Sequence, residues 1–279
     1  MTVSIIGIGL IGGSLAIALK EKQLADFIIG VDNNPTHLET AKHLKLIDES
    51  ATMKEAVKRS QLVVMAVPVD VMVNMLPSVL DEVDQQVVMD MGSTKEKLLS
   101  VIDGHPKKGR FVASHPMWGT EYSGPEAAVS GAFVNKAVVI CNQEDSDPDA
   151  LQLVKTIYQQ IGMHLVYMDA VAHDVHVAYV SHISHITSFA LANTVLEKEK
   201  EGDKIFELAS GGFESTVRLA KSNPAMWVPI FKQNRENVLD VLNEHISQLR
   251  KFKSCLEREN YTYLQQLIEQ ANDIRKIIR

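Results

Sequence analysis

From Met1 to about Tyr167 the chain alternates short apolar runs with stretches in which apolar positions recur at helical spacing. The runs are Val3–Ile6, Phe27–Val31, Leu62–Val67, Gln86–Met89, Phe111–Ala113, Ala137–Ile140 and His164–Tyr167. Most are continuous rather than alternating, the pattern of strands covered by helices on both faces. Between them, Ser14–Glu21, Thr36–His43 and Asp149–Ile161 read as helices. After Asp169 the pattern changes. From Ala170 to Arg279 β-rich runs nearly vanish and long helical patterns take over, interrupted at Gly211, Gly212, Pro224 and Pro229 and ending in the charged stretch Asn237–Ile278. The expected architecture is an α/β parallel-sheet domain over 1–168 followed by an all-helical domain over 169–279.

Composition narrows the choice of partners. The 279 residues carry 28 Lys and Arg against 35 Asp and Glu, a formal charge of −7. That balance argues against nucleic acid, whose phosphates demand a basic surface. A small anion needs only one or two placed cations and stays in play. The two cysteines, Cys141 and Cys255, lie far apart without metal-ligand spacing and fit a reducing, cytoplasmic compartment. Ile5–Leu19 could pass for the apolar core of a secretory signal, but no basic segment precedes it and Gly7, Gly9, Gly12 and Gly13 interrupt it. No apolar stretch reaches the roughly 20 residues of a membrane span.

Those glycines have a better explanation. Val3–Ile6 runs into Gly7-Ile8-Gly9-Leu10-Ile11-Gly12, so the pattern follows a strand and opens a helix, as in a Rossmann-type domain. Gly7 permits the tight turn, Gly9 lets a pyrophosphate approach the backbone, and Gly12 lets the helix pack on the sheet. The free N–H groups of the helix start, at Leu10 and Ile11, suit phosphate. Asp32 follows the next strand, roughly 20 residues past Gly12, where a carboxylate accepts from the adenosine ribose. It would repel a 2′-phosphate, and no Arg or Lys follows before Lys42, so NAD is expected over NADP. Val67 and Pro68, ending another strand, border the same crevice.

The second half of a site is less legible. Ser93, in Asp90-Met91-Gly92-Ser93-Thr94-Lys95, either caps a helix in a box with Glu96 or faces a ligand from a strand end. His115 leaves a strand before Pro116, which biases it toward an extended exit; an imidazole there suits a general base. His173, His176, His182 and His185 suggest a metal, yet on one straight helix His173 and His182 fall on opposite sides, and no third ligand stands at a regular spacing. No metal is expected. Arg218 sits in a helical stretch, Ser215–Lys221, and a guanidinium there can either grip a carboxylate or stay solvated.

Together the segments Gly7–Gly12, Asp90–Lys95, His115–Glu121, His173-Asp174, Ser181–His185 and Gly211–Trp227 resemble the prephenate dehydrogenase family, including its arogenate-using relatives. They stand in the family's order over most of the chain. Ser184 departs from the proline many members carry. The resemblance implies oxidative decarboxylation of prephenate to 4-hydroxyphenylpyruvate with NAD in tyrosine biosynthesis, by a homodimer joined through the helical domain. It implies that His115 accepts the proton of the ring hydroxyl and that Ser93 orients it. It also implies that Arg218 binds a substrate carboxylate, that His185, Thr120 and Trp227 contact substrate, and that Glu121 pairs with the arginine. No appended regulatory domain is expected, so any inhibition by tyrosine would act in the substrate pocket. Two other readings keep the same glycine turn. A 3-hydroxyacid dehydrogenase shares the plan but needs a catalytic lysine motif that the helical half lacks, and a non-catalytic NAD-sensing dimer would not need His115, Ser93 or Arg218.

Overall fold

Alternate residues of the first strand face two different helical layers, and this alternation builds the molecule outward from its sheet. The computed structural model describes residues 1–200 and 206–277; Ile278, the end of the charged stretch, lies outside them. Strand β1 (Thr2–Ile6) sends Val3 and Ile5 into one core, with Leu15, Leu19, Ile28 and Tyr158. Its Ile6 enters a second core with Val63, Met65, Leu76 and Leu98. The remaining strands are β2 (Phe27–Val31), β3 (Glu49–Ser50), β4 (Leu62–Met65), β5 (Val87–Asp90), β6 (Phe111–Pro116), β7 (Ala137–Cys141) and β8 (His164–Met168). They form one sheet in the order β3-β2-β1-β4-β5-β6-β7-β8. Every pairing is parallel except β6 with β7. The parallel sheet expected from the pattern is present, with one antiparallel pairing in it. All of the apolar runs are strands; β3, two polar residues long, has no hydrophobic signature.

Helices α1 (Leu10–Glu21), α2 (Pro35–His43), α3 (Met53–Arg59), α4 (Val69–Asp81), α5 (Glu96–Ser100) and α6 (Pro148–Gln160) fill the crossovers. The order reverses between β1 and β4: the chain leaves β1 toward β2 and β3, then crosses to β4 on the other side. Ligands bind outside the carboxyl ends of strands at such a switch point. Here those ends carry Gly7 and Ala66.

Helix α7 (Ala170–Val177) starts with the Asp169 side chain accepting from the Ala172 N–H. It continues through a π turn, Ala178–His182, into α8 (Ile183–Glu199). Then come α9 (Gly211–Val217) and α10 (Pro224–Gln233). Trp227 and Ile230 of α10 pack on Val69, the first residue of α4, tying this helical segment to the sheet domain. Residues 1–234 form one compact unit. Residues 235–279 form another, built from α11 (Arg235–Glu257) and α12 (Tyr261–Ala271), which packs back on α11. Among the described residues no helix is long and apolar enough to cross a membrane.

Candidate active site

The turn after β1 has the geometry its glycines imply. Gly7 has φ +95°, and a Cβ there would lie 2.6 Å from the Ala66 carbonyl oxygen. A Cβ on Gly12 would come within 2.1 Å of the Gly7 carbonyl oxygen. Gly9 differs: a Cβ there would meet nothing within 4 Å, because that face is open. Gly9 caps α1 without a side-chain bond, leaving the first N–H groups of the helix, Leu10 and Ile11 among them, pointed outward. Asp32 accepts from the Ile8 N–H at 3.0 Å and from the Asn34 N–H at 2.9 Å, so it braces the turn and starts the next one. Each carboxylate oxygen keeps a second lone pair for a ribose hydroxyl. His37 lies 3.6 Å from Asp32, a nearer potential cation than Lys42. This cradle fits a dinucleotide: open at Gly9, closed at Gly7 and Gly12, with an acid at the second strand.

The two closed and open positions separate folding from binding. Gly12→Ala should lower stability by about 1–3 kcal/mol or more, since its methyl meets backbone that cannot move aside. Gly9→Ala should leave the thermal midpoint where it was and weaken dinucleotide affinity. Thermal denaturation beside calorimetric titration with NAD distinguishes them; equal midpoints for both variants would overturn the assignment.

A cavity of about 580 Å³ opens on this turn. Gly9, Leu10, Ile11, Val67 and Pro68 line one part of it, and Ser93, His115, Thr120, His185 and Trp227 line another. Gly7, Gly12 and Asp32 shape the turn from outside the lining. Arg218 and Glu121 do not line it either. They pair with each other at 2.7 Å, Arg218 about half exposed (49%) and Glu121 largely covered (11%). Arg218 opens a 3₁₀ turn, Arg218–Lys221, so the helix expected over Ser215–Lys221 breaks at the arginine. Lys136 lines the cavity and is the single Lys, Arg, Asp or Glu among its described lining residues. It sits just before β7, where spacing from any motif offered no clue.

Ser93 is not a helix cap. Helix α5 begins at Glu96 without a side-chain cap of its own, and the carboxylate of Asp174, from α7, accepts from the N–H groups of Lys95 (2.8 Å) and Glu96 (3.0 Å). Of the two readings of Ser93, the box with Glu96 is therefore absent, and Ser93 borders the cavity. Beneath it, the buried Lys95 ammonium donates to the Asp90 carboxylate at 2.5 Å and to the Gly92 carbonyl at 2.6 Å. Asp90 also accepts from the Gly92 and Ser114 N–H groups. These contacts pin the loop that presents Ser93. Burial raises the Asp90 carboxyl above its ordinary range, and the Lys95 charge pulls the other way.

His115, near the end of β6, is buried at the cavity wall. Its Nδ1 lies 2.9 Å from Nε2 of His173, whose Nδ1 lies 2.7 Å from the Asp174 carboxylate. Burial holds the His115 imidazole well below its ordinary pKa, and neighbouring His173, Lys95 and His182 push it the same way. The other histidines scatter. The Asn234 amide donates to the carbonyl of Asp174 (2.6 Å) and to Nδ1 of His182 (3.2 Å); burial lowers the His182 pKa to about 4. His185 stacks on Trp227 with ring centroids 3.4 Å apart. His176 lies exposed against the Ala172 carbonyl. Among the described residues no three His, Cys, Asp or Glu side chains gather as a metal site. A π turn between α7 and α8 replaces the straight helix expected from His173 to His182, and the two histidines find different partners. The Trp227 indole N–H has no acceptor among the described residues.

A switch-point glycine turn and a buried, neutral histidine on one cavity define a dinucleotide-dependent dehydrogenase. The family model described as "Prephenate dehydrogenase, nucleotide-binding domain" matches residues 15–167, and "Prephenate dehydrogenase, dimerization domain" matches 169–270. The chain belongs to the prephenate dehydrogenase family. It is 31% identical to a prephenate dehydrogenase of Bacillus subtilis over 98% of its own length and 75% of that relative. Prephenate dehydrogenase of Aquifex aeolicus, solved in complex with hydroxyphenyl propionate and NAD+, superposes with a TM-score of 0.88 at 29% identity, covering 100% of this chain and 98% of that one. Arogenate dehydrogenase of Synechocystis superposes with a TM-score of 0.77 at 25% identity, covering 100% of each chain.

Proposed function

We propose that the chain oxidises prephenate with NAD to 4-hydroxyphenylpyruvate and carbon dioxide, as a step of tyrosine biosynthesis. The observation that carries this reading is the placement of His115, neutral and buried, on the same cavity as the open glycine turn. Gly9, Leu10 and Ile11 hold the pyrophosphate, Asp32 the ribose, and Val67 and Pro68 the wall beside it. When bound, NAD supplies the hydride acceptor. His115 takes the proton of the ring C4 hydroxyl as that carbon becomes carbonyl-like, and Ser93 orients the hydroxyl. Loss of the C1 carboxylate follows from aromatisation and asks of the protein chiefly alignment. Arg218 meets a substrate carboxylate at the cavity mouth, with Glu121 as its partner in the free protein. Thr120, His185 and Trp227 cover the ring.

Residues 1–168 form the dinucleotide domain and 169–279 the substrate and dimer domain in this reading. The end of β8 at Met168 and the start of α7 at Ala170 support the boundary. A homodimer through the helical part is supported by exposed Leu249, Leu256, Tyr261 and Ile268 on α11 and α12. A cytoplasmic setting is supported by two free, buried cysteines.

The decisive experiment follows cofactor reduction with prephenate, arogenate and 3-hydroxy acids as alternative substrates. Prephenate should be turned over with the highest kcat/KM. Preference for arogenate would reassign the substrate within the family, and oxidation of 3-hydroxy acids alone would overturn the reading. In the same assay, Asp32→Ser should narrow the preference for NAD over NADP about 10-fold or more, the worth of a charge-assisted hydrogen bond. A wild type that reduces NADP as well as NAD would sink that assignment.

A further inference from the structure

The groups behind His115 run in a line from the cavity wall into α7. His115 Nδ1 meets His173 Nε2 at 2.9 Å, and His173 Nδ1 meets Asp174 Oδ1 at 2.7 Å. The same carboxylate accepts two backbone N–H groups, from Lys95 on Oδ1 and from Glu96 on Oδ2. Both oxygens already accept from fixed backbone donors, so the hydrogen bond with His173 runs from the imidazole N–H to the carboxylate. The direction of the whole line follows. His173 donates from Nδ1 to Asp174, which leaves its Nε2 as an acceptor, and the partner that fills it is the Nδ1–H of His115. His115 then has its lone pair on Nε2, the one ring nitrogen this line leaves free.

We propose that His173 and Asp174 are positioning residues that hold His115 in the tautomer with a bare Nε2, the nitrogen that takes the substrate proton. The inference rests on the reading of His115 as the base. The proton arriving at Nε2 stays on His115; Nδ1–H continues to donate to His173, and nothing is transferred to Asp174. The arrangement follows the general logic of a base oriented by a second group. It differs in having an imidazole between base and carboxylate. Other charged or titratable groups face it from each neighbouring element: Asp90 on β5, Lys95 in the loop after it, Cys141 on β7 and His182 in the π turn. Asp174 also caps α5 beside the Ser93 loop, so one carboxylate orients both the base and the loop that presents the hydroxyl contact.

The test uses the full-length protein. In nitrogen-15 histidine spectra of the wild type, His115 should show a protonated Nδ1 and a bare Nε2, while His173 shows the same pattern through its own Nδ1–H. His173→Phe removes the acceptor. It should lower kcat on the order of 10–100-fold, the range for partners that orient a working histidine. KM for prephenate and the affinity for NAD should hold. His173→Gln restores an acceptor oxygen and should recover part of the rate. A wild-type His115 carrying its proton on Nε2 would overturn the relay, and so would a folded His173→Phe with undiminished kcat. An active His115→Asn variant would instead remove the base reading itself, whatever the tautomer.

Discussion

His115→Asn should lower kcat by about 10²–10⁴-fold, the usual contribution of a positioned general base. Asparagine keeps a polar group of similar reach but offers no basic nitrogen, so the hydroxyl proton has nowhere to go as the ring carbon is oxidised. KM for prephenate should change little, because the base makes its contribution in the transition state rather than in binding. The pH profile gives the sharper readout. The base works when neutral, and burial holds the His115 pKa well below 6.5. Activity should be full above that lowered value and fall as pH drops through it. The acidic limb of kcat/KM, which reports the free enzyme, should lie below where an ordinary histidine would put it. His115→Asn should abolish that limb. Rates near wild type in the variant would rule the role out.

Much of this was legible in the chain because periodicity and turn chemistry are local. Phe27–Val31 reads directly as β2 and Ala137–Ile140 nearly as β7, since a buried strand announces itself by an uninterrupted apolar run. The turn after β1 is equally local: Gly7 and Gly12 are glycines because a methyl at either would strike backbone. The reversal of β7 could not be read, for nothing in Ala137–Cys141 encodes which way its neighbour runs. The capping of α5 stays open in the sequence for a related reason. Ser93 and Glu96 have the right spacing for a box, yet the acceptor is Asp174, far along the chain. Nor does a repeated histidine pattern show which rings meet: His173 faces β6, whereas His182 and His185 face Trp227 of α10. Lys136 had no motif at all, only a place on the cavity wall. Site residues that act through tertiary neighbours leave the weakest trace in sequence.

Arg218→Ala should raise KM for prephenate about 10–100-fold, equivalent to the roughly 1.5–3 kcal/mol of a hydrogen bond to a charged group. Its NAD affinity should be unchanged. The free protein already pairs Arg218 with Glu121 at 2.7 Å, and the Glu121 carboxyl is held below its ordinary range by a backbone hydrogen bond, with Arg218 adding to the effect. That pair does not oppose substrate strongly. With Arg218 half exposed, its net worth falls in the range of about 0–1 kcal/mol typical of surface ion pairs. A dianionic substrate offers a second carboxylate to the same guanidinium, whose fork can hold two acceptors at once. Because Arg218 stands off the cavity lining, its effect should appear in binding and leave kcat within a small factor of wild type. Arg218→Lys keeps the charge without the fork and should recover only part of the lost affinity. Steady-state kinetics with varied prephenate at saturating NAD, alongside direct NAD titration, makes the comparison. Equal loss of both affinities would show a folding defect, and an unchanged KM would place the carboxylate contact elsewhere, with the cavity-lining Lys136 as the next residue to replace.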